Sequence, residues 1–119
     1  MVKYGVHLFL WTERFDNSTL HLIEKAKKLG FDGVEIPLME LEYIDVEKTR
    51  SELKKHDIEF LGSLGLPKDK DITSDDEETR RRGIEFMKKC VDVVAQLDGD
   101  AINGVISVSY THLTLPTKA

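Results

Sequence analysis

Two side chains in this sequence stand where chemistry could be done. Glu35 lies between Val34 and Ile36, just before Pro37, and His7 lies in the run Tyr4-Gly5-Val6-His7-Leu8-Phe9. A carboxylate and an imidazole at strand ends on one face can accept protons, donate them, or hold a polar ligand. They cannot by themselves hold a hard divalent ion, which needs several convergent oxygen or imidazole ligands on fixed elements. The remaining histidines do not converge with them: His21 falls inside a predicted helix, His56 ends another, and His112 belongs to an atypical tail. No metal site is therefore expected in the chain as given. Cys90, the single cysteine, sits in an apolar helical stripe without a partner, which excludes a disulfide and reads as a core residue in a reducing cytoplasm.

The elements that position Glu35 are legible around it. Leu22, Ile23, Ala26 and Leu29 fall on one helical face, with Asp16-Asn17-Ser18 offering caps at the start. Gly30 can take the left-handed conformation that closes the helix, Phe31 folds back toward Ala26, and Asp32-Gly33 turns the chain into Val34-Glu35-Ile36, which Pro37 ends. Before this unit, residues 4–9 read as a buried strand, followed by a loop carrying Trp11, Glu13, Arg14 and Phe15. After it, Asp45 caps a helix to His56 with a sparse face of Val46, Thr49 and Leu53, and residues 58–64 form a third strand ending at Ser63, Gly65 and Pro67. Ser74-Asp75-Asp76-Glu77 reads as a capping box, opening a long helix with a stripe of Ile84, Met87, Cys90, Val91, Val94 and Leu97. Asp98-Gly99 ends that helix, and residues 101–106 form a fourth strand. The order is βαβαβαβ, an α/β fold with parallel strands.

Composition narrows the function. A net charge of −5 leaves no basic surface for nucleic acid. The run Arg80-Arg81-Arg82 follows Asp76, Glu77 and Glu78 at a spacing of four, as on a solvated helix. No apolar run approaches the roughly 20 residues of a membrane span, so neither nucleic acid nor membrane is expected as a partner. By length alone, 119 residues suit a complete flavodoxin-like module better than a barrel of about 250 residues. The tail reverses that preference. From Val108 the run Val-Ser-Tyr-Thr-His-Leu-Thr-Leu-Pro-Thr looks like the conceptual translation of a sequencing-library adapter, so residues 108–119 are set apart and residues 1–107 are read as the N-terminal part of a longer (β/α)8 TIM barrel.

With Tyr4-Gly5-Val6-His7 and Trp11, Lys28-Leu29-Gly30-Phe31-Asp32-Gly33-Val34-Glu35-Ile36, and Asp100-Ala101-Ile102-Asn103-Gly104-Val105-Ile106 taken together, the chain resembles the xylose isomerase-like barrels, and among them the ketose 3-epimerases. The resemblance implies a divalent metal, manganese or cobalt, chelating a ketose, and two carboxylates moving a proton through an enediolate. The metal ligands of such enzymes lie in later strands, so no catalytic residue and no metal ligand is expected in this fragment, which is expected to be inactive alone. It implies substrate contacts at His7, Trp11, Phe15, Glu35, Ser63 and Gly104. Against these stand a hydrogen-bonded core histidine at His7, a structural carboxylate at Glu35, and plain hydrophobic cover at Trp11 and Phe15. The expected partners are a small-molecule ketose and, in a homo-oligomer, further copies of the chain. An abasic-site endonuclease on the same barrel is the nearer alternative, disfavoured by the acidic charge, and the flavodoxin-like module is the more distant one.

Overall fold

The computed structural model describes residues 2–105. Seven elements alternate along the chain: β1 (Gly5–His7), α1 (His21–Lys28), β2 (Gly33–Pro37), α2 (Val46–Lys55), β3 (Glu59–Gly65), α3 (Glu77–Gln96) and β4 (Ile102–Val105). The strands pair in parallel in the order β1-β2-β3-β4. This order decides between the two architectures. A flavodoxin-like sheet reverses its winding at a switch point, whereas a sheet wound in one direction, with right-handed crossovers, places every helix on the same face and curls as an arc of a barrel. The flavodoxin-like reading is thereby corrected.

All three helices end in the same way. Gly30 at φ 94°, Asp57 at φ 47° and Asp98 at φ 61° occupy the left-handed position after the helix. In each case two amides return to the last turn: Gly30 to Lys27 and Phe31 to Ala26, Asp57 to Lys54 and Ile58 to Leu53, Asp98 to Ala95 and Gly99 to Val94. These are Schellman caps, which satisfy orphan carbonyls and turn the chain directly into the next strand. In two of them aspartate takes the glycine's place, a residue that tolerates this conformation. Gly99 is glycine for a different reason: a Cβ there would lie 2.3 Å from Phe60.

Several boundaries differ from the sequence expectation. β1 stops at His7 because the His7 ring accepts the Phe9 amide and turns residues 8–10 into a 3-10 turn. Pro37 does not end the pairing: it sits opposite Ser63, and the Leu38 amide still donates to the Ser63 carbonyl. The cap of α3 is Asp76, whose carboxylate accepts the Thr79 amide and hydroxyl, while Ser74 accepts the Asp76 amide one step earlier. Arg80 reaches the Ser74 carbonyl, and Glu78 pairs with both Arg81 and Arg82. The α3 stripe is also rotated. Thr79, Gly83, Cys90, Val94 and Leu97 face inward, whereas Ile84 and Val91 are exposed, as is Leu29 at the end of α1. Gly83 sets that rotation, since the Lys70 carbonyl lies where its Cβ would be, 2.2 Å away.

Strand alternation then builds two faces. Val6, Val34, Ile36, Phe60 and Leu64 are buried together with Leu22, Ile23, Ala26, Leu53, Cys90 and Val94 from the helices. Gly62 allows Leu38 and Val94 to approach the sheet. The other face carries His7, Glu35, Leu61, Ser63 and Asn103.

Candidate functional site

On that second face the parallel register sets the side chains in rows. His7, Glu35 and Leu61 are opposite one another in the first row, and Pro37, Ser63 and Asn103 in the next. The amide nitrogen of Asn103 donates to a carboxylate oxygen of Glu35 at 3.1 Å, reaching across β3. Glu35 is half-buried, and this bond fixes the orientation of a carboxylate that opens onto the concave side of the sheet. His7 is likewise half-buried, with Nδ1 accepting from the Phe9 amide at 3.0 Å and its ring 4.8 Å from that of Phe9. In the neutral imidazole, acceptance at Nδ1 leaves the proton on Nε2, so His7 offers a donor.

The loop after β1 supplies a rim. Arg14 pairs with Glu40 at 3.4 Å and lies 4.0 Å over the Tyr43 ring. Phe15, buried in the core, borders a cavity of about 20 Å³ with Phe9, Pro37 and Met39. Trp11 stands elsewhere: its ring meets Phe31 edge-on and lies under Lys25, against α1 and its cap. Gly104 is opposite Leu64, a residue of the helix-covered face, and at φ 133° its missing Cβ would lie 1.8 Å from the Leu64 carbonyl. Its requirement is one of backbone.

The structure thus brings His7, Glu35 and Ser63 onto one surface, with Phe15 at the rim, and does not bring Trp11 or Gly104 there. Asn103 is the residue that sequence reasoning passed over. The signal was present, because alternation from the apolar Ile102 turns residue 103, and not 104, to the opposite face.

A cavity of about 710 Å³ opens at the other end of the strands and extends along the same face to Glu35 and Leu61. It lies by Gly5 and Gly33, which have no side chains to fill it, and is bordered by the ion pairs Lys3–Glu59, at 2.9 Å, and Lys54–Asp98, at 3.4 Å. Barrel sites are built at the opposite, C-terminal strand ends, and apart from Glu35, whose other side is held by Asn103, the paired charges that line this space form surface ion pairs. Cys90 is also outside the site. It is buried, its thiol faces the Leu38 carbonyl at 3.9 Å, and burial raises its pKa to about 11.

Among the described residues no three of His, Cys, Asp and Glu are placed to hold a metal ion. The donor set among the described residues does not fit the divalent ion that the family resemblance implies.

A parallel sheet wound in one direction, covered by helices on one side and bearing its polar rows on the other, defines part of a βα barrel. The family described as xylose isomerase-like TIM barrel matches residues 23–118, and the chain belongs to that family. It is 36% identical over 119 residues to a ketose 3-epimerase of Arthrobacter globiformis, covering 99% of this chain and 41% of that relative. It is 32% identical over 106 residues to an L-ribulose 3-epimerase of Methylomonas sp. (strain DH-1), covering 88% of this chain and 37% of the relative. The crystal structure of a D-allulose 3-epimerase from Methylomonas sp. in complex with D-allulose superimposes with a TM-score of 0.85 at 31% identity, covering 91% of this chain and 38% of the other. The chain therefore spans about two fifths of the length of these relatives. Among the described residues no helix is long and apolar enough to cross a membrane. The boundary expected between residues 107 and 108 lies outside the described residues.

Proposed function

We propose that this chain is the first four strands of a ketose 3-epimerase barrel whose complete form requires a divalent metal, manganese or cobalt, and that Glu35, His7 and Ser63 line the sugar pocket. The observation that carries the reading is the Glu35–Asn103 bond across β3. It holds one carboxylate oxygen and directs the group into the concave side, where a polyhydroxylated ligand would find an acceptor at Glu35 and a donor at His7 Nε2. A sugar is recognised by such alternating donors and acceptors over an apolar floor, here Leu61 and Pro37. The kinship with ketose and ribulose 3-epimerases supports the substrate class. In this reading the metal ligands and the pair of proton-transferring carboxylates come from strands after residue 105, the natural gene continues beyond Ile106, and residues 108–119 take no part in the fold.

Amplifying the gene across that junction from its source, and assaying the restored protein with fructose, ribulose and tagatose, tests the proposal. Manganese-stimulated epimerisation by the restored protein is expected, and neither turnover nor micromolar manganese binding by the 119-residue chain. Glu35→Gln in the restored protein is expected to raise KM about tenfold or more, the loss of one charge-assisted hydrogen bond to substrate. A stop codon in genuine genomic sequence shortly after Ala119, or a restored protein inactive on every ketose, would overturn the reading.

A further inference from the structure

Residues 66–76 join β3 to α3, a longer connection than the roughly two to six residues usual between a strand and its helix in such folds. At the C-terminal ends of barrel strands, connections of this length serve as fixed walls of a binding site or as lids that open and close. The run Arg80-Arg81-Arg82, read in the sequence as a solvated helix face, bears on which of the two this one is. Arg81 does pair with Glu78 at the surface. Arg80 and Arg82 instead reach the connection: Arg80 Nη1 donates to the Ser74 carbonyl at 2.7 Å, and Arg82 Nε donates to the Asp69 carbonyl at 3.0 Å. A second nitrogen of Arg82 donates to Thr79 Oγ1 at 3.2 Å, which fixes the guanidinium plane. We propose that Arg80, Arg82 and Gly83 are positioning residues, which clamp residues 66–74 against α3 as a fixed wall and so hold the C-terminal end of β3, where Ser63 stands. The clamp rests on the geometry of α3 and its connection, and only the role of Ser63 toward a sugar rests on the proposed function.

The two guanidinium groups hold the connection at both ends through charge-assisted bonds to backbone oxygen. Between them the contact is steric. The Lys70 carbonyl lies 2.2 Å, and a methyl of Ile72 2.8 Å, from where a Cβ of residue 83 would be, so only glycine lets the connection lie this close to the helix. The Lys70 ammonium then sits 4.4 Å over the Phe86 ring, one turn further along α3. Residues 69, 70, 72 and 74 are thus all fastened to one stretch of helix. Little slack separates them from the strand, because Leu66 is buried and Pro67, with its ring fixing φ at −70°, leads straight into the turn at residues 68–70. The strand end is in turn tied to its neighbour, the Ser63 carbonyl accepting the Leu38 amide at 2.8 Å. A loosened connection would therefore be felt at Leu38 as well as within itself.

Hydrogen exchange of the full 119-residue chain, followed at single amides by NMR, tests the clamp. The amides of Lys70, Thr73 and Ser74 are bonded within the connection, and that of Leu38 reports the strand end. Arg80→Ala combined with Arg82→Ala is expected to speed exchange at these four positions at least about tenfold while leaving the amides of α1 unchanged. Arg81→Ala, the same truncation between them, is expected to change none of the four. Lysine at both positions is expected to recover part of the protection, since an ammonium still donates to one carbonyl. Gly83→Ala is expected to speed the same amides, although alanine is the better helix former and would slow exchange if nothing pressed on that position. Unchanged exchange at Lys70, Thr73 and Ser74 in the double variant, an acceleration spread evenly over the chain, an equal effect of Arg81→Ala, or a loosened connection with Leu38 unaffected would each overturn the proposal.

Discussion

Alternate residues of the same four strands build two surfaces of opposite character. On the helix-covered face Val34, Ile36, Leu38 and Leu64 are at most 2% exposed, and a hydrogen bond is almost nowhere needed. The face bearing Glu35, Ser63 and Asn103 is polar, and its order comes from one side-chain bond at 3.1 Å. Close packing fixes the first surface through volume, so a single added carbon is felt there. The second is held by strand register together with that bond: its side chains stand where the strand pairing puts them. Stability thus resides on the packed face, and side chains of the polar face, where the sugar pocket is proposed, can vary without disturbing the core one residue away.

The sharpest way to break that comparison is a pair of identical substitutions in one strand. Gly62→Ala would bring a Cβ within 2.5 Å of Leu38 Cδ1 and 3.0 Å of Val94 Cγ2. It is expected to destabilise the fold by about 2 kcal/mol, as overpacking does. Gly65→Ala meets only the Met39 sulfur at 3.6 Å, ordinary contact, and should change stability by less than about 0.5 kcal/mol. Urea unfolding of the two variants measures both, and equal losses would show that the faces do not differ as described.

The second test is pH. Cys90 lies at the covered face with its pKa raised from 9.0 to about 11 by desolvation, against a smaller opposing influence of Lys70. The thiol ionises first in the unfolded chain, so its contribution is fully present below pH 9 and is lost progressively as pH rises toward 11. Lysines and tyrosines titrate in the same range, so the informative quantity is the difference between the native chain and Cys90→Ala across that window. A stability difference that does not narrow as pH rises would contradict the assignment. At neutral pH Cys90 should react with thiol reagents only at the rate of unfolding.

The smallest effect concerns the one polar flaw under the covered face. Among the described residues, Thr49 Oγ1 is the buried side-chain oxygen or nitrogen without a hydrogen-bond partner. Thr49→Val exchanges that hydroxyl for a methyl of similar size and should stabilise the fold by about 1 kcal/mol, seen as a higher urea midpoint with an unchanged slope.

How much of this was legible beforehand follows from the range of each interaction. The cap after α1 was readable because Leu29-Gly30-Phe31 contains its own geometry: a left-handed glycine and an apolar residue that returns one turn. The corresponding caps at Asp57 and Asp98 carry aspartate and were readable only as helix ends. The α3 stripe was misread at Ile84 and Val91 because several apolar stripes fit that helix. The choice among them was made by the Lys70 carbonyl, which admits only Gly83.

For the site, the sequence by itself determined that Glu35 stands at the end of a buried strand, that the strands are parallel, and that Cys90 belongs to the core. These follow from local periodicity and from the few ways in which alternating strands and helices can connect. Only the tertiary structure decided the winding direction of the sheet, the separation of Trp11 and Gly104 from the polar rows, and the pairing of Glu35 with Asn103. Sixty-eight positions separate those two residues along the chain, and no local pattern records a register that two intervening crossovers establish.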